Sequence, residues 1–158
     1  MDNPYYERLV KTAIRFVSFR PRSQKELTDF LDKKLTRWKV SGAGLVAKVI
    51  GRMEELGYVD DIKFAEWWVD QRTTFKPKGN RVITMELKAK GVSETVIESV
   101  LASRGFQSLL VAAKQAVARK LPLWAKLPPL VRKKKLYDYL GRRGFDFEII
   151  HKLIDERE

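Results

Sequence analysis

The segment LKAKGVSETVIESVL, starting at Leu87, returns 53 residues later as LGRRGFDFEIIHKLI at Leu140. In both copies a leucine, a glycine, an apolar residue and a Ser or Asp in capping position align. Val96-Ile97 then matches Ile149-Ile150, and Val100-Leu101 matches Leu153-Ile154. Apolar pairs four residues apart share one face of a helix. A looser copy begins at LDKKL (Leu31); after an insertion around residues 36–40, Leu45-Val46 and Val49-Ile50 supply the same four sites. The chain of 158 residues therefore reads as three units of three helices, over residues 1–58, 59–104 and 105–158. One such unit cannot bury its apolar face alone, so neighbours are expected to stack. The expected fold is all-α: three tandem three-helix repeats forming an elongated, curved array.

Local signals support a helical reading. A first helix over about residues 5–19 carries its apolar stripe at Leu9, Val10, Ala13, Ile14 and Val17. Ser23-Gln24-Lys25-Glu26 is a capping box, in which Ser and Glu satisfy the free amides of a helix start. A helix over about residues 41–56 turns Leu45, Val46, Val49, Ile50 and Met53 inward and stops at Gly57. Gly91, Gly105 and Gly144 separate later helices, and Ser93 and Asp146 stand where caps belong. No period-2 run bounded by hairpin turns occurs, so about nine helices and no sheet are expected.

Charge is the strongest compositional signal. Thirty-two Lys plus Arg stand against 20 Asp plus Glu, a net of +12. Such a surface favours polyanions or acidic protein partners. Residues 103–145 carry eleven basic residues against Asp138 alone, a net of +10. Within them, Arg132, Lys133, Lys134, Lys135, Arg142 and Arg143 lie on one expected helix, preceded by Arg119, Lys120 and Lys126. A second basic run holds Lys76, Lys78, Arg81, Lys88 and Lys90, read as a middle helix. Four successive positions spread around a helix, so Arg132 to Lys135 cannot all serve one surface. The third helix of each later unit is acidic, which disfavours a duplex reader, whose recognition helix must approach phosphates. These basic residues are the expected anion-binding surface.

The stretch YVDDIKFAEWWVDQR at Tyr58 holds paired acids and paired tryptophans. Asp60 and Asp61 are expected to cap a helix, since a metal or acid–base site needs more convergent ligands. Phe64, Ala65, Trp68 and Val69 share one face, so Trp68 is expected in the core. Trp67 falls at the edge of that face, where a partner contact competes with packing. Trp38 and Trp124 are expected in connections, as lids on the core; base-stacking platforms would need a basic groove with several aromatics in series. His151, the only histidine, lacks a catalytic constellation. Neither a phosphate-binding loop nor an H-E-x-x-H motif occurs, and with no cysteine a thiol nucleophile is excluded. The cysteine-free composition suits a reducing cytoplasm. No apolar run reaches the roughly 18 residues that span a bilayer, and MDNPYYERLVK lacks an apolar signal core. The expectation is a cytoplasmic monomer with no membrane contact, no cofactor and no metal.

Four segments carry a family resemblance: RPRSQKEL at Arg20, LGYVDDIKFAEWWVDQR at Leu56, ELKAKGVSETVIESVL at Glu86 and LYDYLGRRGFDFEIIHKLI at Leu136. In that order they resemble the RecX family, bacterial regulators of the RecA recombinase. GYVDD-x-x-FA is the most specific of them. The chain departs from the family pattern at the insertion holding Trp38 and at Trp67, where a small or polar residue is common. The resemblance implies three tandem three-helix repeats and no enzymatic activity. It also implies binding in the groove of the RecA–single-stranded DNA filament, bridging RecA subunits and lowering ATPase, strand exchange and co-protease activity in DNA repair. A rival expectation is sequence-nonspecific nucleic-acid binding without a RecA role.

Overall fold

The computed structural model describes residues 3–157. Among them the chain forms ten helices and no strand. These are α1 (Tyr6–Phe19), α2 (Gln24–Trp38), α3 (Leu45–Glu55), α4 (Asp61–Thr74), α5 (Asn80–Ala89), α6 (Glu94–Leu101), α7 (Phe106–Val117), α8 (Leu121–Trp124), α9 (Pro129–Arg142) and α10 (Phe147–Arg157). The helix beyond the nine expected is α8, a single turn with a proline in its first turn, where the pyrrolidine ring costs no hydrogen bond. Trp38 and Trp124, expected in connections, end α2 and α8. The insertion is helical as far as Trp38, and Lys39 closes it in a left-handed cap (φ +59°). Consequently α3 starts at Leu45, behind Gly44 at φ +77°, rather than near residue 41.

The chain divides into two compact units. The first comprises residues up to Trp67 together with Lys88–Val96. Here α1, α2 and α3 pack pairwise around Leu9, Ala13, Leu27, Leu31, Leu35, Val49 and Met53. The five inward residues expected of α3 are all buried, whereas Val10, Ile14 and Val17 of α1 lie half-buried against that core. The second unit comprises Trp68–Leu87 and the chain from Ile97 onward. Its main core joins α7, α9 and α10 through Leu110, Ala113, Val117, Leu136, Leu140, Phe145, Ile150 and Leu153.

A polar knot fixes the start of α2. Ser23 is fully buried; its Oγ accepts from the Glu26 amide (3.1 Å) and donates to the Lys90 carbonyl (2.7 Å). Glu26 closes the capping box on the Ser23 amide and pairs with Arg20 (2.5 Å) and Lys90 (3.4 Å). Asp60 caps α4, accepting from the Ile62 amide at 2.9 Å. Asp61 does not cap its own helix: its Oδ1 accepts the Gln24 amide of α2 (2.8 Å). A carboxylate at that amide meets the positive end of the α2 dipole.

The two carboxyls respond to pH in opposite senses. Burial pushes Glu26 up, but the Arg20 hydrogen bond, the Ser23 amide and the charges of Arg20 and Lys90 bring it below its ordinary value. Its stabilisation is present above the unfolded carboxylate range and is lost as pH falls through the lowered value. Burial, with the charges of Asp60 and Glu26, raises Asp61 despite its Gln24 bond. A raised carboxyl favours folding in acid and loses that contribution as pH rises through the raised value. Asp61→Asn keeps the acceptor and removes the buried charge. The variant is therefore expected to melt at or above the parent at neutral pH, the difference fading in acid; Asp61→Ala should lose about 1 kcal/mol. Thermal melts of both variants across a pH series check this.

Candidate nucleic-acid interface

The second unit builds a wide cleft from three segments distant in sequence. Residues 74–78 run from the last residue of α4, residues 115–123 end α7 and run into α8, and Tyr139 and Arg143 lie at the end of α9. They enclose about 760 Å³. Lys76, Lys78, Arg119, Lys120 and Arg143 line it, and no carboxylate does. Phe75 is 72% exposed at its edge and Leu123 is 70% exposed. The Arg143 guanidinium lies 4.7 Å from the Tyr139 ring centre and the Lys120 ammonium 6.0 Å. Burial lowers the Lys78 pKa, and so do the cations of Arg143, Arg72 and Lys76, with Glu86 opposing them. Five cations lodged together disfavour one another, and an anion in the cleft relieves that repulsion.

A close backbone crossing holds this cleft. The Gly79 amide donates to the Arg143 carbonyl (2.9 Å) and the Arg81 amide to the Gly144 carbonyl (3.3 Å). The Arg81 guanidinium also reaches the Gly141 carbonyl. A Cβ on Gly79 would overlap the Gly144 carbonyl, and Gly144 itself sits at φ +94° against Val82. Arg143 is thereby anchored through its own carbonyl beside the Lys76–Lys78 segment. Nearby, Glu86 accepts from Trp68 Nε1 (2.8 Å) and Arg72 Nε (2.7 Å). That contact leaves Trp68 half-buried rather than in the core, because an indole N–H needs a partner.

The structure separates the basic residues singled out in the sequence. Lys76, Lys78, Arg119, Lys120 and Arg143 share the cleft. Lys76 and Lys78 lie in the connection before α5 and Lys90 after it, so only Arg81 and Lys88 belong to that helix. Lys88 pairs with Glu94 (3.6 Å), and Lys90 with Glu26. Arg132 and Lys133 line a smaller pocket of about 230 Å³ beside Trp124 and Arg157. Lys126, Lys134, Lys135 and Arg142 are exposed and line neither cavity. Trp67 is half-buried, its ring 6.1 Å from Phe64 and 5.5 Å from the Arg20 guanidinium. The sequence reading missed Phe75 and Tyr139. Their signal was an aromatic one to four residues from a basic candidate.

Helical triplets with an acid-free cationic cleft define a class of protein: an α-helical module suited to an anionic partner. The description of the second three-helix domain of RecX matches residues 60–101, and that of the third matches residues 107–154. The regulatory protein RecX of Chlorobium phaeobacteroides is 35% identical over 91% of this chain and 89% of its own length. That of Thermobifida fusca is 30% identical over 96% and 79%. That of Bacillus subtilis is 34% identical, but the chain spans only 53% of it. A crystal structure of RecX from Lactobacillus salivarius superposes with a TM-score of 0.83 over 96% of this chain and 95% of that one, at 20% identity. The chain belongs to the RecX family of regulatory proteins.

Proposed function

We propose that this protein regulates the RecA recombinase by binding the RecA–single-stranded DNA filament and slowing it, without a catalytic step of its own. The observation that carries the proposal is the second unit's cleft, which five cations and no carboxylate line, with Phe75 exposed at its edge. Lysine and arginine contacts to phosphate release counterions, and an exposed ring offers a base a face to stack on. Duplex DNA hides its base faces, so the cleft favours an extended single strand. In this reading residues 1–58, 59–104 and 105–158 are the three repeats, acting as a cytoplasmic monomer. The cleft residues are the DNA contacts; Arg132, Lys133, Lys134, Lys135, Arg142, Lys126 and Trp67 face protein or the outer strand.

RecA-promoted strand exchange, with and without the protein, tests the reading beside direct single-strand binding by the protein alone. Inhibition at or below one protein per RecA subunit is expected. Unchanged strand exchange with tight DNA binding would leave a nonspecific nucleic-acid binder instead.

A further inference from the structure

The first unit carries a cationic face of its own, apart from the basic residues of 103–145. On α1, Arg8, Lys11 and Arg15 recur at three- and four-residue steps; on α2, Lys34 falls midway between Phe30 and Trp38. All six line one cleft of about 520 Å³, together with Phe16 and Phe19. Glu7, Glu26, Asp29 and Asp32 belong to the same two helices, yet none of them lines the cleft. Among the described residues no carboxylate pairs with Arg8, Lys11, Arg15 or Lys34.

The aromatic rings are ordered among these cations. Phe16 and Phe30 stack with centroids 3.8 Å apart. Trp38 holds the Arg8 guanidinium 3.9 Å from its ring centre, which fixes that cation in place. Phe19 is 77% exposed at the C-terminal end of α1. This is the basic groove with aromatics in series that a base-stacking platform requires. An acidic peptide would use the cations and leave the Phe19 face idle. A duplex would offer phosphates but no open base. A single strand uses both features.

We infer that this cleft is a second site for single-stranded nucleic acid, with Arg8, Lys11 and Arg15 on phosphates and Phe19 under a base. It is built wholly from α1 and α2 and does not depend on the second unit's cleft or on RecA. The test is fluorescence anisotropy of a labelled oligothymidylate titrated with the full chain over a salt series. Circular dichroism melts confirm the fold, and all substituted residues are solvent-exposed. Phe19→Ala is expected to weaken binding by roughly fivefold or more without changing the slope of log K against log salt. Phe19→Trp should restore binding. Lys11→Gln with Arg15→Gln should lower that slope by about 1.4, two single-strand phosphate contacts. An abasic deoxyribose-phosphate strand should bind the parent and Phe19→Ala equally. The inference is overturned if both variants bind oligothymidylate as the parent does. It is equally overturned if polyglutamate displaces the oligonucleotide and loses as much affinity on Phe19→Ala, which would make the site a peptide groove.

Discussion

Gly79→Ala is expected to destabilise the second unit by roughly 3 kcal/mol, the upper range for forcing a methyl group into a filled space. The added Cβ would meet backbone, the Gly144 carbonyl and the Phe145 amide, not a flexible side chain that can swing aside. Relieving the overlap pulls apart the bonds from the Gly79 amide to Arg143 and from the Arg81 amide to Gly144. Gly144→Ala should be comparably harmful, because it adds a left-handed backbone (φ +94°) to a clash with Val82. Gly51→Ala is the control: a Cβ there meets nothing, and a helix-interior alanine should gain a few tenths to about 1 kcal/mol. Urea denaturation of the three variants checks the order. Equal stability of Gly79→Ala and the parent would mean that the crossing is not closed in solution.

The second large effect concerns the cleft. Lys76→Gln, Lys78→Gln and Arg119→Gln together are expected to lower the salt slope of single-strand binding by about 2, at roughly 0.7 per phosphate contact. At low salt this amounts to a loss of one to two orders of magnitude in affinity. Contacts to protein carboxylates would instead show a shallower, screened dependence. Lys133→Gln, Lys134→Gln and Arg142→Gln remove the same charge from positions outside the cleft, and should change the slope less. The comparison separates the cleft from general surface charge, which both variants reduce equally. Melting curves come first, because lysine and arginine stems also cover apolar surface.

Local features of this fold were legible in the sequence because their causes are local. The Ser23 capping box, the α3 core face and the positive-φ glycines Gly57, Gly91 and Gly144 each depend on residues within one or two turns. The repeat was legible because its four apolar sites recur at helical spacing. Contacts between distant segments were not. Nothing near Asp61 points to an amide 37 residues away, so it read as a cap for its own helix. The Gly79–Gly144 crossing joins Gly144, which reads as an ordinary helix stop, to Gly79, which carries no signal of its own. The candidate cleft has the same origin: Lys78, Arg119 and Arg143 are brought together by the packing of three segments, whereas Arg132 to Lys135, adjacent in sequence, diverge around α9. The α1 stripe of Arg8, Lys11 and Arg15 carried a readable three-to-four spacing, but the larger charge of residues 103–145 outweighed it.

The most direct test of the central claim is RecA ATP hydrolysis on single-stranded DNA, measured with no addition, with the parent protein, and with the folded Lys76→Gln, Lys78→Gln, Arg119→Gln variant. The expected result is that the parent slows hydrolysis and the variant does so only at concentrations at least ten times higher. Equal inhibition by the two proteins would contradict the role assigned to the cleft. Hydrolysis unchanged by the parent, at concentrations where it coats the DNA, would contradict the regulatory role itself.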